Sequence, residues 1–530
     1  MRKSLLWIGF VSMWIIVGCM RENLPPNDIT YDIKIVNGQL IDGTGNKPYN
    51  GSVLIKDGVI TYVGKNDLSD YDVTRVIDAT GKLVTPGFID AHAHGNAELN
   101  PEFRNFWSMG VTSILLGMDG SSSGIEDITG WMEQVERARP GLNIVPMTGH
   151  GTARTASGIG LDHNPHHTEI EALARLISHQ LESGVFGVST GIEYIPGRFA
   201  NREELKAVGE VVAQFDGVIM SHIRNEDEDD VNESVRELIR MGEDSGARVH
   251  VSHIKIVYAN EIAHAESVLA VMDSARAMGI QITADVYPYT ASYTGIGILY
   301  PEWALPPNNF DEVVRQRRSD LADYLRNRVH MRNGPEATLL GTQPWRGRTL
   351  AQISDSLGLP FEDVLIDFMP PGSASAAYFV MNHNVMRRFF QDEHVVVSTD
   401  GSPVMLHPRG YGSFAKIIRE FFVEEQLMPI EKIVRKMTGQ TAEIVGLSRD
   451  RIPDNEPNIE DLHYLKRGIL KKGFAADVLV FDPKEVKDLA TFEDPHQYAT
   501  GFDYVIINGI PVQESGRPSG ARPGLVLKAR

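Results

Sequence analysis

Cysteine is almost missing from this chain of 530 residues: Cys19 is the only one, so no disulfide can form within it. Positive charge is also short, with 51 Lys and Arg against 70 Asp and Glu and a formal charge of −19. No stretch combines Lys, Arg and aromatic residues, so the electrostatic footprint of a nucleic-acid binder is missing, which leaves small, uncharged or cationic partners open. Long apolar runs are few. The one near the start, Leu5 to Val17, is shorter than the roughly 20 residues that span a bilayer. What is present is ordinary globular composition, 42% hydrophobic, enough for a large core and a smaller domain.

Met1-Arg2-Lys3, the apolar run and Gly18-Cys19 have the layout of an export signal. Ile16-Val17-Gly18-Cys19 further resembles a bacterial lipobox, in which the cysteine is acylated and becomes the first mature residue. The expectation is a signal peptide over 1–19 with Cys19 as the lipidation site, then a polar tether over 20–31. This predicts an exported lipoprotein of the cell envelope, in the periplasm or at the outer membrane, that meets the membrane only through its lipid.

From Asp32 to Val76, short alternating runs are broken by Asn37-Gly38 and Asp57-Gly58, which reads as β-hairpins. The same grammar returns in Ala476 to Phe481 and in Asp503 to Gly509. Residues 32–84 and 466–530 are therefore expected to form one small β-sandwich. Between them the chain repeats a unit of apolar strand, amphipathic helix and glycine. In Val231 to Glu243, residues Val231, Val235, Leu238 and Ile239 share one helical face, with Asp229 or Asp230 as N-cap and Gly246 near the stop. Strands fit at Leu83 to His92, Gly110 to Leu116, Asn143 to Met147, Gly184 to Ser189, Val218 to His222, Val249 to Lys255, Gln281 to Tyr287 and Val395 to Thr399. Eight such strands over 85–465 predict a (β/α)8 TIM barrel, an α/β fold. A doubly wound sheet is the alternative, but it would not gather polar residues from strand ends along the whole series. The stretch from about 295 to 371 exceeds one helix and reads as an insertion able to cover the barrel mouth.

His92 and His94 lie one residue apart after the apolar Pro86-Gly87-Phe88-Ile89, so both can face the barrel axis and hold a metal ion. A His-x-His pair alone is weak evidence. His222, His253 and Asp400 also end predicted strands, and four histidines with one aspartate at such ends make a metal site.

Thr85-Pro86-Gly87-Phe88-Ile89-Asp90-Ala91-His92-Ala93-His94, with Ser221-His222, Ser252-His253 and Ser398-Thr399-Asp400-Gly401, resembles the amidohydrolase superfamily. Within it, Gly149 to Arg154, Ser189 to Ala200 and Asp285 to Tyr289 resemble the N-acyl-D-amino-acid deacylases, or D-aminoacylases. The likeness covers nearly all of the chain after the tether. It implies one or two zinc ions, an activated water, and Asp400 as the general acid and base that passes the water's proton to the leaving nitrogen. The family's cysteine ligand after the second barrel strand is matched here by Asp119, an oxygen donor able to bridge two ions. Ser189 stands where other amidohydrolases carry a carboxylated lysine, which argues against the hydantoinase and dihydroorotase branch.

The resemblance also implies that the substrate carries a carboxylate. Lys255 and Arg409 are the expected anion grips, and Tyr194, Tyr287 and Ser292 the neutral donors, with Arg224 a weaker candidate. The expected reaction is hydrolysis of a linear amide in an N-acyl-D-amino acid. Cyclic-amide hydrolysis or D-dipeptidase activity on the same centre is the enzyme alternative, and a surface-anchored binding protein without turnover is the non-enzyme one. Three features have plainer readings: the acidic run Glu226 to Asp230 as a solvated helix start, His163, His166 and His167 as exposed, and Asp119 to Gly124 as a loop lacking the Gly-Lys-Ser/Thr of a phosphate site.

Overall fold

The computed structural model describes residues 24–450 and 461–529. Cys19, and with it the expected signal and lipidation site, lies outside them.

The barrel strands are Phe88–Asp90, Val111–Leu116, Asn143–Pro146 resumed by Thr148–Gly149, Gly187–Gly191, Val218–His222, Arg248–Val251, Ile282–Val286 and Val395–Val397. Successive strands pair in parallel. The ring closes where the Ala91 N–H donates to the Val397 carbonyl at 3.4 Å and Ala93 bridges Gly401. These strands are apolar runs because helices cover one face and side chains fill the other. Helix Val231–Ser245 buries Val231, Val235, Leu238 and Ile239, as their spacing predicts, and stops at Gly246 with φ of 76°. Asp230 holds its N-cap position without a side-chain capping bond.

One expected strand is two. Leu83–Pro86 pairs antiparallel with Val478–Phe481, so it belongs to the sheet domain, while Phe88–Asp90 belongs to the barrel. Gly87 is the hand-over point, where a Cβ would lie 2.2 Å from Thr112 Oγ1, so only glycine lets the chain cross that closely. The sheet domain is one continuous nine-stranded sheet from both chain ends, packed around Ile33, Ile35, Val53, Val84, Val478 and Ile506. At its seam with the barrel floor, Asp477 is bonded to Arg467 and accepts from Asn143 Nδ2 at 3.2 Å, and Asn508 Nδ2 donates to Asn143 Oδ1 at 2.8 Å.

The insertion is wider than 295–371. Its small antiparallel sheet joins Ser292–Gly295, Thr338–Leu340 and Ser375–Tyr378, and its helices bury a separate core around Leu321, Leu325, Ile353 and Leu365. It contributes Ser292, Thr294, Ile298 and Arg332 to the wall of the cavity at the barrel mouth.

Candidate metal centre and active site

A cavity of about 930 Å³ opens at the C-terminal ends of the barrel strands. At its base six side chains converge. His92 Nε2 lies 3.3 Å from His94 Nε2, and His222 Nδ1 lies 3.1 Å from His253 Nε2. Asp119 sits between the two pairs, with Oδ1 3.2 Å from both His92 and His253 and Oδ2 3.4 Å from His94. Asp400 Oδ1 is 3.2 Å from His94 Nε2.

The backbone at three of these donors is left-handed: Asp119, His253 and Asp400 have φ of 54°, 37° and 47°. Non-glycine residues hold such angles only where their surroundings fix them. Here Ser189 Oγ donates to the Gly117 carbonyl at 2.6 Å and accepts from the Gly120 N–H at 3.0 Å, bracing the turn that carries Asp119. Asp285 accepts from the His253 N–H at 2.9 Å. Asp90 accepts from the His92 and Thr399 N–H groups at 3.1 and 2.9 Å, tying the first strand end to the eighth.

The donor set fits a zinc ion. Tetrahedral bonds of about 2.0–2.1 Å to nitrogen or oxygen imply ligand-to-ligand edges of about 3.3 Å, the spacing found here. Ring nitrogens this close must share either a proton or a metal ion between them. The field favours a cation as well: although burial lowers the pKa of His94, the adjoining Asp119 and Asp400 carboxylates push it up to about 9. At His253, burial and Lys255 oppose a proton, yet Asp400 and Asp119 raise it to about 10. Burial alone would raise Asp400, but Arg409, whose Nη1 is 2.8 Å from Oδ2, and His253 hold it well below the usual carboxylate range.

Two further carboxylates back the rings. Glu193 Oε2 lies 2.7 Å from His222 Nε2, and Glu226 Oε1 lies 3.3 Å from His253 Nδ1 and accepts from Lys255 Nζ at 2.6 Å. At His222 the carboxylate on the outer ring nitrogen fixes the tautomer that offers a lone pair inward, whereas the outer Nδ1 of His253 also meets Lys255 Nζ, at 2.8 Å. Glu226 therefore corrects the expectation of a solvated acidic run: it is buried, 8% exposed, because its partner Lys255 is buried with it. Tandem acids before a helix carry no mark of which one turns inward. Glu193 was visible inside the Ser189 to Ala200 motif, but only the fold shows that it reaches a histidine.

Of the expected substrate contacts, Tyr194, Lys255, Ser292 and Arg409 line the cavity. The Tyr194 ring lies 4.4 Å from that of His222, and Ser292 Oγ has no hydrogen-bond partner among the described residues. Tyr287 is not among the lining residues. It is buried behind them, with the Arg409 guanidinium 4.8 Å above its ring and Lys255 Nζ at 5.9 Å. The strand ends at Val286, so Tyr287, expected as a donor from the family resemblance, lies just past its end. Arg224 is tied by two bonds of 2.8 Å to Glu237 and supports the loop at Arg198. His166 caps helix His167–Glu182 and is not near the donors.

A closed parallel barrel with histidine and aspartate donors at its strand ends defines a metal-dependent hydrolase of the amidohydrolase type. No family model matches the chain. It is 31% identical to an N-acyl-D-glutamate deacylase of Alcaligenes xylosoxydans xylosoxydans, over 94% of this chain and 96% of that protein. It is 30% identical to an N-acyl-D-aspartate deacylase of the same organism, over 96% and 97%. Among solved structures, a D-aminoacylase superposes with a TM-score of 0.78 at 28% identity, covering 94% of this chain and all of that one. The N-acyl-D-glutamate deacylase of Bordetella bronchiseptica, complexed with zinc and a phosphonate mimic of the tetrahedral intermediate, gives 0.77 at 28%, with the same coverage. This chain belongs to the N-acyl-D-amino-acid deacylase family.

Proposed function

We propose that this protein hydrolyses the linear amide of N-acyl-D-amino acids, releasing a carboxylate and a D-amino acid, with zinc held by His92, His94, Asp119, His222, His253 and Asp400. The observation that carries the reading is the convergence of these six donors at the base of one cavity. Zinc held there would supply a Lewis acid that polarises the amide carbonyl and lowers the pKa of water so that it can be deprotonated for attack.

Asp400 does the proton work. Arg409 holds Oδ2, which leaves Oδ1 on the donor side at 3.2 Å from His94. Kept ionised by Arg409, the carboxylate enters the reaction as a base, takes the proton of the attacking water at Oδ1 and hands it to the amide nitrogen, so that the amine leaves neutral. Asp119, placed between the two histidine pairs, suits one ion or a bridge between two, through oxygen where the family has sulfur. Ser292, with an open hydroxyl, and Arg409 suit the substrate's α-carboxylate, while Lys255 is engaged by Glu226 and holds that wall. Tyr194 lies beside His222, suited to donating its hydroxyl to the amide oxygen.

The test is a panel of N-acetyl-D- and N-acetyl-L-amino acids with zinc-loaded protein. Release of free D-amino acid in preference to L is expected. Opening of cyclic amides alone, or no hydrolysis, would overturn the reading.

On sequence pattern we also propose that the chain is exported and anchored through acylated Cys19, supported by Ile16-Val17-Gly18-Cys19. Cys19→Ala should move the protein from the membrane fraction to the soluble one; unchanged fractionation and no labelling by fatty acid would refute it.

A further inference from the structure

The positive side chains lining the cavity differ in how well they are neutralised. Lys255 Nζ has Glu226 at 2.6 Å, and Arg409 Nη1 has Asp400 at 2.8 Å. Arg332, delivered by the end of insertion helix Phe310–Met331, is the third lining cation among the described residues other than histidine. It is 3% exposed. Its nearest recorded carboxylate oxygen, Asp227 Oδ1, is 3.8 Å away, and Asp227 is already bonded to Arg328 at 2.7 Å through Oδ2. Two guanidinium groups thus share one carboxylate. The other recorded contacts of the Arg332 side chain are the Tyr258 hydroxyl at 3.2 Å and the faces of Tyr258 and Tyr378, and its buried Nε has no partner among the described residues.

A buried guanidinium with a surplus charge and an open N–H is costly unless an anion meets it. The aromatic rings hold the planar fork in place, which is the arrangement that suits a carboxylate. The cavity already offers the open Ser292 hydroxyl and Arg409 for one carboxylate, and Arg332 enters from a different element, the insertion.

Building on the deacylase reading, we propose that Arg332 binds a second carboxylate of the substrate, so that the preferred substrates are dianionic N-acyl-D-amino acids. The second carboxylate has two possible sources, an acidic amino-acid side chain or a dicarboxylic acyl group, and the same chemistry serves both. Arg332 is then a specificity-determining residue, outside the proton transfer at Asp400.

The experiment measures kcat/KM on matched pairs with zinc-loaded enzyme: N-acetyl-D-glutamate against N-acetyl-D-glutamine, and N-succinyl-D-leucine against N-butyryl-D-leucine. The dianion of at least one pair should be preferred by about 100-fold, the scale of one buried charge contact, and the pair that responds identifies the source. Arg332→Met should erase that preference through KM while leaving the neutral substrates within about threefold, and Arg332→Lys should restore part of it. Equal use of both members of each pair by the wild type overturns the inference, whether or not the variants fold. Equal loss on neutral and dianionic substrates in Arg332→Met overturns it too, since that is the mark of a structural arginine. Turnover of neutral N-acetyl-D-amino acids without dianion preference would defeat this inference alone, whereas no turnover of any N-acyl-D-amino acid would defeat the deacylase reading with it.

Discussion

The two ends of the barrel treat buried charge in opposite ways. At the mouth, charges come as side-chain partners around a cavity: Asp400 with Arg409, Glu226 with Lys255, Glu193 with His222. At the floor, beside the Arg467–Asp477 pair at the seam, two cations are met mainly by backbone carbonyls. Lys436 donates to the carbonyls of Asp392 and Val395, the latter at 2.6 Å, and Arg248 reaches the carbonyls of Ile444 and Asp216 at 2.5 and 2.6 Å. A carbonyl cannot give up or accept a proton, so in these floor contacts only the cation itself can titrate. A carboxylate can exchange partners with a metal, a water or a substrate. The division matches what a TIM barrel expects of its ends, chemistry above and stability below.

The largest expected effect lies at the mouth. Asp400→Asn should lower kcat per folded molecule about 1,000-fold, within the range that general acid–base catalysis supplies, and lower the thermal midpoint as well because it leaves the buried Arg409 without its carboxylate. Unchanged kcat in the folded variant would place Asp400 on the structural side of the division. Next comes the backing of the histidines. Glu193→Gln should weaken zinc retention about 10- to 100-fold in a chelator competition, with activity returning at excess zinc. If retention is unchanged, the 2.7 Å contact to His222 is packing only.

The effect expected at the floor touches stability alone and leaves turnover unchanged. Burial pulls Lys436 down from 10.5 to about 8, so between these values the unfolded chain binds more protons than the folded one. Folding stability should therefore rise with pH over that window, by up to about 3 kcal/mol, and the gain should be lost as pH falls through about 8. In Lys436→Met the slope should flatten while kcat per folded molecule stays the same. An unchanged slope would show that the ammonium titrates as it would in water.

Much of this was legible in the chain. The four histidines and Asp400 stand at strand ends, and strand ends in a barrel meet by topology, so apolar runs followed by polar residues announce the centre before any contact is known. Asp119 was legible only by position against the family's cysteine. What could not be read depends on pairing across distance. Glu226 becomes functional because Lys255 lies across the next strand, Glu193 because His222 does, and Arg332 because the insertion folds back over the mouth. The single strand from Leu83 to His92 likewise hid its division, since no apolar pattern says that Gly87 passes the chain from one sheet to another.

The most direct measurement of the central claim is a zinc titration of metal-stripped protein followed through hydrolysis of an N-acetyl-D-amino acid. The account predicts no activity at zero metal and recovery as the first one or two equivalents bind, with N-acetyl-L substrates left intact. Hydrolysis that persists without metal, or zinc bound at that stoichiometry with no hydrolysis of any N-acyl-D-amino acid, would contradict it.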